Sequence, residues 1–310
     1  MTILIAGSTG LVGSAIVEEF ERNGQNVVGI SRSQVDLLDY QKTDEFIGDT
    51  KPSLIVDAAA KVGGILANNS SPVEFLIDNL AIQANLMKAA HKHGVPNFVF
   101  LGSSCIYPRD CAQPIKEEYL MSGLLEASNS AYAIAKIAGI ELVNSYRKEY
   151  GTKWISLMPT NLYGPRDNFN LSTSHVLPAL IRRFVEATES GVKKVTLWGS
   201  GKPLREFLHV SDLAKAVTLA AETYDSSLHL NVGTGEDLSI NELAVKVAKA
   251  TGYSGHIEWD SSKPDGTPRK VLDVSRIKAL GWKPTISIDE GIASTIAWYK
   301  DASTRDEVRK

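Results

Sequence analysis

The first half of the chain alternates short apolar runs with longer segments of mixed polarity. "TILIAG" (2–7), "NVVGIS" (26–31), "SLIVDAA" (53–59), "NFVFLG" (97–102) and "WISLMP" (154–159) are rich in Val, Ile, Leu and Phe. Continuous runs of this length predict strands buried on both faces. Between them, residues 11–23, part of 40–48, 72–93 and 130–150 read as helices. Strand–helix repetition predicts a parallel sheet with helices on both faces. Right-handed crossovers then favour the Rossmann-like, doubly wound α/β fold.

After about residue 165 the pattern loosens. "GPRDNFN" (164–170), "GSGKPLRE" (199–206) and "SSKPDGTPRK" (261–270) are rich in Gly, Pro and charge and read as loops. The expected organisation is a dinucleotide-binding domain over 1–165, with a return segment near 210–235 that includes "LHLNVG" (228–233). Residues 166–310 are expected to form mainly a smaller substrate-binding lobe. The tail "DASTRDEVRK" (301–310) reads as a solvated end.

Composition narrows the function classes. The 310 residues are 43% hydrophobic and 22% charged, with a net charge of −3, which suits a globular enzyme and argues against a nucleic-acid partner. No apolar run reaches membrane-spanning length, and the amino terminus has no signal-peptide pattern, so no membrane partner and a cytoplasmic location are expected. Two cysteines, Cys105 and Cys111, make neither a disulfide framework nor a zinc pattern, and no metal is expected.

The first chemical motif follows the first strand. "GSTGLVG" spaces Gly7, Gly10 and Gly13 three apart, with Ser8, Thr9, Leu11 and Val12 between them, directly before a helix. Glycines allow a tight turn, and helix-start N–H groups attract a pyrophosphate. At the end of the second strand, where an acid would bind a free ribose 2′-hydroxyl, the chain has Ser31 and Arg32. These suit a 2′-phosphate and favour NADP(H), with Asp36 near the adenine.

The second motif is "LGSSCIYPRD" (101–110), which gathers Ser103, Ser104, Cys105 and Tyr107 at a strand's carboxyl end. On an extended backbone Ser103 and Cys105 face the same side. "YAIAK" places Tyr132 and Lys136 four apart on one helix face, where an ammonium can favour a phenolate.

Glycine-rich turn, serine-bearing strand end and Tyr-x-x-x-Lys helix, in this order, resemble the extended short-chain dehydrogenase/reductase superfamily. More closely the chain resembles its GDP-4-keto-6-deoxymannose 3,5-epimerase/4-reductases, the GDP-L-fucose synthase family. The resemblance runs almost end to end, through "AAKVGGILANN" (59–69), "SSCIYP" (103–108), "YAIAKIAGIEL" (132–142), "MPTNLYGPRDNF" (158–169), "SHVLPALIRR" (174–183), "WGSGKPLREFLHV" (198–210) and "KPDGTPRKVLDVS" (263–275).

The resemblance implies that Ser103 and Tyr132 hold the substrate ketone and that Tyr132 supplies the proton for reduction. Lys136 would tune Tyr132 and hold the cofactor, while Cys105 and His175 would carry out the epimerisations. It further implies that Leu101, Gly102, Ser104, Pro159, Thr160, Asn161, Leu162 and His175 border NADP(H), and that Arg183, Trp198, Arg205 and Asp265 meet the GDP-sugar. Helices 72–93 and 130–150 would form a homodimer contact. One departure is that many bacterial relatives carry a basic residue inside the phosphate turn, where this chain has Ser8 and Thr9. Recognition of a 2′-phosphate then rests on Arg32.

These residue types suit the implied chemistry. A ketone at carbon 4 acidifies the hydrogens on carbons 3 and 5. A thiol and an imidazole transfer protons near neutrality, and two hydroxyl donors stabilise the enolate oxygen. Cys111 and His209 have no matching role and read as structural. The alternatives on the same frame are a relative making another deoxysugar, such as colitose, and a non-catalytic dinucleotide sensor. A sensor would not need Ser103, Tyr132 and Lys136 together.

Overall fold

A computed structural model describes residues 2–263, 265–303 and Val308. The first half contains β1 (Thr2–Ala6), α1 (Leu11–Arg22), β2 (Asn26–Ile30), α2 (Tyr40–Thr50), β3 (Leu54–Asp57), α3 (Ile65–Ser70), α4 (Pro72–Lys92), β4 (Asn97–Leu101), α5 (Ser130–Tyr150) and β5 (Ile155–Pro159). The remainder contains β6 (Asn161–Tyr163), α6 (Val176–Glu189), β7 (Lys194–Trp198), β8 (Leu204–Arg205), β9 (Phe207–His209), α7 (Val210–Thr223), β10 (Leu230–Val232), β11 (Leu238–Ser239), α8 (Ile240–Thr251), β12 (His256–Asp260), β13 (Arg269–Lys270), α9 (Ser275–Ala279) and α10 (Ile288–Ser303).

The main sheet has six parallel strands in the order β10-β5-β4-β3-β1-β2. Its five long strands are those read from the apolar runs. They are nearly continuous Val, Ile, Leu and Phe because both faces are covered by helices. Burying one such side chain contributes about 1.5–3 kcal/mol, so the sheet supplies much of the stability. Strand order reverses between β1 and β3, which opens a crevice at their carboxyl ends.

Two details of the fold prepare that crevice. Helix α1 starts at Gly10 with no side-chain cap and no acid in its first turn, so its leading N–H groups face outward unpaired. Gly13 lies so close to the preceding turn that an added Cβ would stand 2.1 Å from the Gly7 carbonyl oxygen. Gly7 itself has φ +78° and abuts the Ala58 backbone. Helix and strand thus approach as closely as glycine alone allows.

A second core joins α6, α8 and α10 with β7 and β12 through Phe169, Leu177, Phe184, Leu243, Val247 and Ile292. Small sheets β11-β8-β13 and β6-β9 connect it to the first core. Fully buried Glu206 accepts hydrogen bonds from the N–H groups of Gly235 (2.7 Å) and Leu272 (2.9 Å), which fixes the loops beside β8 and β13.

The structure adds one helix to those expected and amends two expectations. The stretch before Pro72 forms a separate short helix, α3, because Ser71 leaves helical geometry and Pro72 opens a new first turn. Residues 104–106 are a tight helical turn rather than extended strand. Most of the tail lies outside the described residues, but Val308 is buried in the second core rather than solvated. No described helix is long and apolar enough to cross a membrane.

Candidate active site

A cavity of about 550 Å³ lies at the carboxyl ends of β1, β3, β4 and β5. The phosphate turn contributes Gly7, Thr9, Gly10, Leu11 and Val12; the end of β2 contributes Ser31, Arg32 and Asp36. The opposite wall is Leu101, Gly102, Ser103, Ser104, Tyr132 and Lys136, with Pro159, Thr160, Asn161, Leu162 and His175 closing the far end. Ser8 and Gly13 stand behind the turn rather than on its surface. The Ser8 side chain packs at Gly29, where an added Cβ would lie 2.6 Å from it, and Gly13 makes the close approach described above.

The lining suits a dinucleotide. The uncapped N–H groups at the start of α1 favour an anion, and the exposed Arg32 makes no ion pair among the described residues. Ser31 is braced by its own backbone and hydroxyl bonds to Gln34 Oε1, at 2.9 and 2.8 Å.

The reactive wall is built from β4 and α5. Ser103 is extended, and its Oγ accepts a hydrogen bond from the Cys105 N–H at 3.4 Å, leaving its own proton free to donate. Lys136 is almost fully buried, donates from Nζ to the Leu101 carbonyl at 2.9 Å and stands 5.9 Å from the Tyr132 ring centroid. Burial pushes the Tyr132 phenol above its ordinary range, and nearby Cys105 and Asp57 push it the same way. The expected depression by Lys136 does not offset these effects, and its ammonium donates to the Leu101 carbonyl. Tyr132 is therefore protonated through the neutral range, the state in which it can give a proton.

Cys105 is not on this wall. It is buried beside Ser103, within the electrostatic reach of Tyr132, Lys136 and Lys270. Burial raises its thiol, while Lys270, Ser103 and Lys136 oppose the rise. His175 is exposed and opens α6 without a capping bond, and the protein packed around its ring lowers its pKa. In the free protein the imidazole is thus ready to accept a proton and the thiol to give one. Near-neutral titration of the thiol, expected from the sequence, is displaced by burial.

Tyr107 departs from the expected group. It is buried in the core, with its hydroxyl bonded to Asn231 Oδ1 (2.5 Å) and shared with His229 Nε2 (2.9 Å). Asn231 also donates to the Ile115 and Asp273 carbonyls, so Tyr107 ties β10 to the loop after β4. The helical turn at 104–106 rotates it away from the cavity. Cys111 is an unpaired thiol in a loop. His209 is a buried strut, its Nδ1 accepting from the Ser211 N–H at 3.3 Å.

The four residues assigned to the sugar lie off the cavity, in the smaller lobe. Half-buried Arg205 donates to the Leu204 carbonyl at 2.8 Å and lies across the β8–β13 register from Lys270. Asp265 accepts from the Ser200 N–H (2.9 Å) and hydroxyl (2.6 Å), which holds it below the usual carboxylate range. Trp198 is exposed beneath Lys263, and Arg183 donates to the Thr196 carbonyl at 3.2 Å.

Two charged side chains near the reactive wall were missed by the sequence reading. Asp57 ends β3, and Lys270 approaches Cys105 from β13. Asp57 had a signal, an acid closing an otherwise apolar run; Lys270 had none, because its neighbour is 165 positions away in "SSCIYP" (Cys105).

Residues 3–233 match the NAD dependent epimerase/dehydratase family. The chain is 49% identical to the GDP-L-fucose synthase of Escherichia coli K12, over 98% of both chains. It is 34% identical to the GDP-L-colitose synthase of Yersinia pseudotuberculosis, over 99% of this chain and 100% of that one. A crystal structure of a GDP-L-fucose synthetase from Naegleria fowleri bound to NADP superposes with a TM-score of 0.90 at 28% identity, covering 100% of this chain and 96% of the other. With its crevice, its glycine turn and its Ser103–Tyr132–Lys136 wall, the chain belongs to the NAD dependent epimerase/dehydratase family and, within it, to the GDP-L-fucose synthases.

Proposed function

We propose that the protein converts GDP-4-keto-6-deoxy-D-mannose to GDP-L-fucose, inverting carbons 3 and 5 and reducing carbon 4 with NADPH. The observation that carries this reading is the convergence of the Ser103 hydroxyl, Tyr132 phenol and buried Lys136 on a dinucleotide-sized cavity, with Cys105 bonded through its N–H to the Ser103 hydroxyl.

NADP(H) fits the cavity through the uncapped α1 terminus, the Gly7–Gly13 cradle and the open Arg32. The chemistry it supplies when bound is hydride donation to a carbonyl carbon. Ser103 and Tyr132 donate hydrogen bonds to the substrate ketone, and its electron pair moves onto oxygen as carbon 4 is reduced. Tyr132 then gives that oxygen its proton, beside the charge of Lys136. The epimerisations use the same grip. Cys105 and His175 take a proton from one face of carbon 3 or 5 and return one to the other, while the enolate oxygen stays bound to Ser103 and Tyr132. Arg183 and Arg205 suit a diphosphate, and Trp198 and Asp265 complete the sugar-nucleotide contact.

The test is to mix protein, NADPH and the keto-sugar nucleotide, follow cofactor absorbance and identify the product. GDP-L-fucose is expected. A product formed only from the 3-deoxy substrate would favour the colitose reading, and no NADPH consumption would favour a sensor. Arg32→Ala should weaken NADPH binding by about tenfold to 100-fold and leave NADH binding nearly unchanged, because it removes a charge-assisted bond to the 2′-phosphate. Equal losses for both cofactors in a fluorescence titration would remove Arg32 from that role.

The cysteines are unpaired thiols, which supports a reducing, cytoplasmic setting. Packed helices α4 and α5 leave Val73, Ile77, Ile134 and Tyr150 exposed, which supports a homodimer built on them. Sedimentation equilibrium should give about twice the 33.6 kDa chain mass; a mass of one chain would exclude the dimer.

A further inference from the structure

Asp57 is the least satisfied charged group near the reactive wall. It closes β3 in the middle of the sheet, with Ala6 of β1 and Phe100 of β4 as register partners, at the reversal of strand order. Its relative exposure is 1%. One carboxylate oxygen accepts from the Ala59 N–H at 3.2 Å; the other is buried with no hydrogen-bond partner. Leaving a carboxylate oxygen so placed costs stability, and an apolar side chain would fill the strand end at less cost.

Lys136 has the complementary deficit. Its ammonium is buried, bonded to the Leu101 carbonyl and 4.8 Å from the Phe100 ring centroid, and it makes no ion pair among the described residues. Among the described residues, the titratable groups that act most strongly on Asp57, Lys136 and Tyr132 are one another and Cys105. From α5 come Tyr132 and Lys136, from the turn after β4 comes Cys105, and from β3 comes Asp57, whose register partners on β1 and β4 are the uncharged Ala6 and Phe100. Asp57 is the only carboxylate among these four.

We propose that Asp57 is a positioning residue of the reductive step, the counter-charge that keeps Lys136 an ammonium and Tyr132 a phenol until the ketone takes its proton. This deepens the reading of Tyr132 and Lys136 given above and rests on it. Both effects have the same sign. Negative charge at Asp57 opposes the loss of the Lys136 proton, which burial favours, and opposes ionisation of Tyr132. Burial pushes Asp57 itself up to about 6, with Lys136 opposing, so it is ionised at neutral pH and above.

Asp57→Asn keeps the shape of the side chain and removes the charge. The alkaline limb of the reduction rate should move to lower pH by about one unit or more. NADPH binding, followed by tryptophan fluorescence without any sugar, should weaken at correspondingly lower pH, because Lys136 loses its proton sooner. In a Lys136→Met background, Asp57→Asn should have no further effect on the pH dependence of binding. Asp57→Leu should reproduce the shift, separating charge from the bond to Ala59. Superimposable pH profiles for wild type and Asp57→Asn, in both rate and binding, would overturn the proposal and leave the sugar chemistry standing. A binding shift in a protein that does not reduce the keto-sugar would overturn the substrate reading and leave Asp57 standing.

Discussion

Tyr132→Phe is expected to slow NADPH oxidation by the keto-sugar about 10²–10⁴-fold while the protein still binds NADPH, because that is the range general acid catalysis contributes. The phenol is half-buried on the cavity wall, and burial together with Cys105 and Asp57 keeps it protonated. In the proposed reaction it is the group that passes a hydrogen ion to the new alkoxide. Ser103 can share the hydrogen bond, but a serine hydroxyl is a far poorer acid. Removing one oxygen leaves the ring, its edge-to-face contact with Phe75 (centroids 6.3 Å apart) and helix α5 intact. Stopped-flow absorbance with saturating NADPH measures the effect. Wild-type rates in the variant would place the proton donor elsewhere.

The second large effect separates the two chemistries. Cys105→Ser should suppress inversion at carbons 3 and 5 by about 10²–10⁴-fold and spare reduction at carbon 4. The sulfur is buried beside Ser103 and under the influence of Lys270 and Lys136, so a hydroxyl fits the same space without disturbing the wall. Its acidity does not fit, since an alcohol ionises far less readily than a thiol. The reading is made in heavy water by mass spectrometry. Wild type should incorporate deuterium at both carbons before reduction, whereas the variant should consume NADPH and yield a product with the original configuration there. Fucose at the full rate from the variant would show that another group moves those protons.

The sequence by itself determined the parallel sheet and most of its helices. Buried parallel strands read as near-continuous apolar runs, and α1, α4 and α5 begin at Gly10, Pro72 and Asn129, types favoured at turns and helix starts, so these elements are largely local in origin. The glycine turn, Arg32 and the Tyr132–Lys136 spacing were legible for the same reason: each is a short segment whose geometry is set by its own backbone. Tyr107 was misplaced because a tight turn after Ser103 replaces the extended path that alternation assumes.

Only the tertiary structure decided the charge states and the long-range neighbours. It buried Tyr132 and Cys105 enough to hold both protonated, brought Lys270 near Cys105 from the far end of the chain and set Asp57 within the electrostatic reach of Lys136. Desolvation and Coulomb energy depend on what surrounds a group in space, and spacing along the chain carries neither.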